Sequence, residues 1–122
     1  MIVLDEQLDD PEIRKAIKRW SQGKVINITE ARRLTSILDD AMPTLLHGLK
    51  DPTFVTTNYK DFWKKIEPHE GYAIICIKLP IERVLEVPDI LRELLKLPEL
   101  ATKRQRMGKV VSYSDGQIKF YE

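Results

Sequence analysis

A chain of 122 residues suits a single domain and is long enough for one real core. Its 20 Lys and Arg against 19 Asp and Glu leave a net charge of +1, which excludes both a protein that holds nucleic acid by bulk charge and an acidic tail protein. With 43% apolar and 32% charged residues, the composition is that of a soluble globular domain and not of a disordered one.

Residues 1–4 read as a first strand, with Ile2-Val3-Leu4 running straight into Asp5-Glu6. A helix is predicted over 11–20: Asp9 or Asp10 can cap it, Pro11 fits the first turn, and Ile13, Ala16, Ile17 and Trp20 recur at helical spacing. Gly23 ends it, and 25–28 reads as a short second strand. The stretch 29–38 is ambiguous, with a helical turn opening at Thr29. Asp39-Asp40 follows, and Pro43 opens a helix through Leu45, Leu46 and Leu49 that Asp51-Pro52 breaks.

The third strand is predicted at 53–56, with a short helix or turn over 61–66. Residues 72–79 form a fourth strand, apolar enough to be buried on both faces. An amphipathic helix is predicted over 80–97, broken in two by Pro88. Two alternating runs, 109–113 and 117–121, flank Ser114-Asp115-Gly116, a strong hairpin signal. Strand and helix alternate, so the expected fold is α/β: a mostly parallel sheet with helices on both faces and a C-terminal hairpin, all in one domain over 1–122.

Three acid clusters stand out. Asp5-Glu6 follows the first strand; Asn58 and Asp61 follow the third, beyond Thr56-Thr57; Asp39-Asp40 lies between. Open α/β sheets bind ligands outside the carboxyl ends of their strands. Mg²⁺ and Mn²⁺ prefer carboxylate and water oxygens, so carboxylates from three loops can hold one such cation. Taken singly, each cluster also reads as ordinary structure: a helix cap at Asp5, an N-cap at Asp39-Asp40, an Asx turn at Asn58. Thr56 and Thr57 can orient a carboxylate or phosphate by hydrogen bonds.

The segment Met1-Ile2-Val3-Leu4-Asp5-Glu6-Gln7-Leu8 resembles the opening of the compact PIN-like domains, a strand ending in an Asp-Glu-Asn type motif. The segment Phe54-Val55-Thr56-Thr57-Asn58-Tyr59-Lys60-Asp61-Phe62 is similar to their second signature, a strand followed by Thr-Asn-Asp-Lys-Asp-Phe. Asp39-Asp40 falls where the family carries an acid, and the likeness runs over nearly the whole chain. It implies a three-layer, metal-dependent endoribonuclease related to VapC-type toxins of toxin–antitoxin systems. Carried over residue by residue, the resemblance implies Asp5, Asp39 or Asp40, and Asp61 as the acids that hold the catalytic metal, Asp39 being taken as the catalytic ligand, with Glu6 and Asp40 as further ligands and Asn58, Thr56 and Thr57 in support. Tyr59 stands where the family has an acid, which favours the alternative of a catalytically degenerate protein- or RNA-binding module.

Lys103, Arg104, Arg106 and Lys109 form a basic cluster that can meet RNA phosphates, or simply a solvated helix end. Tyr59, Phe62 and Trp63 can stack on bases or pack at the core rim. His47 and His69 have no partner at zinc spacing, and Cys76, the one cysteine, sits in an apolar run as a small hydrophobe. The lone thiol, the lack of an apolar spanning stretch and the lack of a leader pattern give a cytoplasmic expectation with no membrane. RNA, a cognate antitoxin protein and a second copy of the chain are the partners left open, with Mg²⁺ or Mn²⁺ as cofactor.

Overall fold

A computed structural model of the chain describes residues 1–35 and 42–122. Six strands form one sheet: β1 (Ile2–Leu4), β2 (Val25–Asn27), β3 (Thr53–Thr56), β4 (Ala73–Ile77), β5 (Val110–Ser114) and β6 (Gln117–Tyr121). Their order is β2-β1-β3-β4-β5-β6, the first five parallel and β6 antiparallel to β5. The helices are α1 (Pro11–Lys18), α2 (Ile28–Thr35), α3 (Met42–His47), α4 (Tyr59–Phe62), α5 (Val87–Leu94) and α6 (Lys103–Arg106).

Alternation along each strand divides the core. Successive side chains point to opposite faces. Ile2, Leu4, Val55, Ile75, Ile77 and Val111 pack with Ile13 and Ile17 of α1 and with Val87, Leu91 and Leu94 of α5. Val3, Ile26, Phe54, Ile74, Cys76 and Val110 pack on the other side with Ile28 and Ala31 of α2 and with Leu45 and Leu46 of α3. Two buried faces explain why β4 reads as a continuous apolar run, all five of its residues being buried. The sheet with helical layers on both sides is therefore the expected one.

Several boundaries move. Asp10 is the cap of α1, accepting from the Glu12 N–H at 2.8 Å, and α1 ends at Lys18, short of Trp20. The ambiguous stretch is helical over Ile28–Thr35, with Asn27 Oδ1 accepting the Glu30 N–H at 3.0 Å, and its end at 36–38 lies outside the described residues. The short helix after β3 starts at Tyr59 and ends at Phe62, earlier than 61–66. Over 80–97 the chain makes a 3₁₀ segment, Ile81–Glu86, and then α5. Pro88 sits in the first turn of α5, so it opens that helix instead of breaking it; its missing N–H is needed by no carbonyl there. Asp115 and Gly116 join β5 to β6 as a two-residue turn with φ of 51° and 77°, the type I′ geometry an Asp-Gly pair favours. No helix among the described residues is long and apolar enough to cross a membrane.

Candidate functional site

The strand order reverses at β1 and β3: β2 lies to one side of β1, while β3, β4 and β5 follow on the other. Loops leaving the carboxyl ends of two such strands diverge and leave a crevice between them. Here the register sets Leu4 against Val55, so Asp5 and Thr56 leave the sheet side by side. The Asp5 N–H donates to the Val55 carbonyl at 3.0 Å, extending the ladder by one bond.

Asp5 is 8% exposed and its carboxylate is fixed at both oxygens. Oδ1 accepts the Glu6 N–H at 2.8 Å and so caps a 3₁₀ turn, Glu6–Leu8. Oδ2 accepts from the buried Thr56 hydroxyl at 2.7 Å. Thr56 Oγ1 in turn accepts the Asn58 N–H at 2.9 Å and lies 3.5 Å from Gln7 Oε1. Asn58 does not cap α4 with its side chain; its Nδ2 donates to Asp61 Oδ2 at 2.8 Å. One chain of hydrogen bonds therefore links Asp5, Thr56, Asn58 and Asp61 across two loops.

These groups border an open cleft of about 390 Å³, lined by Asp5, Glu6, Gln7, Arg32, Asn58 and Asp61 among others. Asp5 forms its buried end, and Asp61 and Glu6 are exposed on the rim. Arg32, from α2, reaches Glu6 across the cleft at 3.6 Å. Among the described residues the cleft thus carries three carboxylates, two amides and one guanidinium, a set of oxygen donors with one competing cation. A carboxylate oxygen has two lone pairs, so each Asp5 oxygen keeps an acceptor site after its hydrogen bond.

Of the sequence candidates, Asp5, Glu6, Asn58 and Asp61 come together, and Thr56 holds Asp5. Thr57 contributes its carbonyl, which accepts the Tyr59 N–H at 2.9 Å. Asp39 and Asp40 lie outside the described residues. Among the described residues no three His, Cys, Asp or Glu side chains form a metal-holding group. Tyr59 does not line the cleft: its hydroxyl lies 2.8 Å from Ser112 Oγ of β5, and its ring packs on the core with Phe62 and Trp63. These aromatics are core and rim packing. His47 and His69 meet edge to face, with ring centroids 4.2 Å apart.

The basic cluster sits elsewhere. α6 precedes β5 and lies at the amino ends of the strands, opposite the acidic cleft. There the Lys109 ammonium donates to the Glu99 and Gln105 carbonyls at 3.2 and 2.6 Å, and Arg106 Nη1 donates to the Leu100 carbonyl at 3.1 Å. Lys103 and Arg104 are exposed at that same end.

Two cleft residues escaped the sequence reading. Gln7 directly follows Asp5-Glu6, so its position was visible although its role was not. Arg32 enters from α2 because Ala31 beside it is fully buried and fixes the helix face, something only packing decides.

No protein-family model, no curated protein and no solved structure matches the chain.

Proposed function

We propose that the protein is a metal-dependent endoribonuclease of the PIN-like kind, the toxin component of a toxin–antitoxin pair acting in the cytoplasm. The observation that carries this reading is the meeting of Asp5 and Asp61 in one cleft at the point where the strand order reverses, with Thr56 holding the buried carboxylate. Asp5 with one rim carboxylate, Asp61 or Glu6, would hold Mg²⁺ or Mn²⁺, with Asn58 and Gln7 as neutral oxygens; Mg²⁺ is commonly bound through one or two carboxylates plus substrate phosphate. When bound, such an ion lowers the pKa of a water and offsets charge developing on a phosphodiester. The chain's own part is positional. Thr56 fixes the Asp5 rotamer, the Asn58–Asp61 bond sets the rim carboxylate, and Arg32 offers a guanidinium to a phosphate.

The Arg32–Glu6 pair and Tyr59 favour a second reading, a degenerate module that binds RNA or protein without cutting. One variant separates the two. Asp5→Asn keeps the cap on Glu6 N–H, and its amide can donate to Thr56 Oγ1, so the fold persists. A nuclease shows Mn²⁺-dependent RNA cleavage and a Mn²⁺-induced rise in melting temperature, and Asp5→Asn loses both. At 100 times its dissociation constant the ion contributes about 2.7 kcal/mol to the parent. Cleavage at the parent's rate in Asp5→Asn overturns the assignment; a parent that binds RNA without cutting supports the degenerate module.

A further inference from the structure

A second cavity, about 390 Å³, opens at the amino ends of the strands, where Ile2, Trp20, Leu95, Ala101, Lys103 and Arg106 line it. Among the described residues no carboxylate lies within ion-pair distance of Lys103 or Arg106. Arg106 is half-buried, its Nε–H is buried without an acceptor, and burial pulls its guanidinium below the usual arginine range. Side chains of this kind are seldom buried unless paired, because desolvating a cation without a counter-charge is costly.

The backbone of α6, which carries both cations, is also held in place. Thr102 and Gln105 form a reciprocal capping box on α6, with bonds of 3.2 and 3.3 Å. Lys109 braces the same turn through the Gln105 carbonyl. Trp20, packed in part against the core, also lines the cavity, and Ile2 and Leu95 supply apolar wall. Cations and an aromatic ring lining one cavity suit a ligand that joins an anion to a planar base.

We infer that this cavity binds a phosphorylated nucleoside, with Lys103 and Arg106 taking the phosphate and Trp20 meeting the base. A free mononucleotide and the 5′-phosphorylated end of an RNA strand share that chemistry. The acidic cleft lies at the other end of the strands and shares no lining residue with this cavity.

Calorimetric titration in EDTA tests it, with AMP, adenosine, inorganic phosphate and a trinucleotide bearing either a 5′-phosphate or a 5′-hydroxyl. AMP is expected to bind at least tenfold more tightly than adenosine or phosphate. Lys103→Gln and Arg106→Gln should each weaken AMP by about tenfold, the usual size of a charged hydrogen bond. Trp20→Leu should narrow the gap between AMP and phosphate, and Asp5→Asn should bind AMP like the parent. Where loss of the Leu100 bond unfolds Arg106→Gln, the exposed Lys103→Gln carries the test. Binding of AMP alone marks a free nucleotide, and binding of the 5′-phosphorylated trinucleotide as well marks an RNA end. AMP that binds no better than phosphate, or equally well to Lys103→Gln, overturns the site.

Discussion

Thr56 is the residue on which the cleft turns. Its hydroxyl donates to Asp5 and accepts from Asn58, so one buried group ties the two loops together. Thr56→Val keeps the shape, removes both bonds and leaves a buried carboxylate oxygen short of a donor. It should cost about 1–3 kcal/mol in urea unfolding, and Thr56→Ser should recover most of it. Cys76 makes a second prediction. It is fully buried, and burial pushes its thiol from 9.0 up to about 12. The folded value lies above the unfolded one, so the stabilisation is complete below pH 9 and is lost as pH rises towards 12. Cys76→Ala should flatten that alkaline loss in pH-dependent melting, leaving the part due to Tyr72 and Tyr121, whose hydroxyls burial also raises. Asp5 and Thr56 were legible as strand-end residues because a strand's apolar run marks its own end. Arg32 was not, since nothing local distinguishes it from an exposed helical arginine.

At the level of elements, caps and turns carried most of the readable signal. Asp10 before Pro11 marks the start of α1, and Asp115-Gly116 marks the turn into β6, because both work through bonds and φ angles within a few residues. Gly116 has φ of 77°, and a Cβ there would meet nothing within 4 Å. Gly116→Ala therefore tests backbone strain alone and should cost about 1–2 kcal/mol, read as a lower denaturation midpoint with unchanged slope. The segment before α5 was harder to read. Ile81 and Leu85 are 73% and 63% exposed, so their apolar character reports no core face, and a helical period drawn through them runs two elements together. Pro88 resolves the ambiguity only once the helix start is known, for the same ring that breaks a helix interior fits its first turn.

For the molecule as a whole, the sheet separates two cores, and each central strand supplies both. Phe54 is fully buried on the α2 and α3 side, against Phe62 at a centroid distance of 5.3 Å. Phe54→Ala should cost about 3–5 kcal/mol, enough to approach the whole stability of a domain of this size, and should be seen as a large fall in melting temperature. Local sequence specified the strands, the two-sided burial of β4, the alternation that makes a parallel sheet, and the acids waiting at strand ends. Each of these follows from side-chain period and from hydrogen bonds a few residues long. Tertiary structure alone decided that β1 lies between β2 and β3, that Asp5 stands beside Thr56 some 51 positions away, and that Lys103 and Arg106 belong to the opposite end of the sheet. A strand's residues specify that it must be covered but not which strand lies next to it. That choice is made where distant segments close their loops and pack, and so is the grouping of charges into one cleft of acids and another cavity of cations.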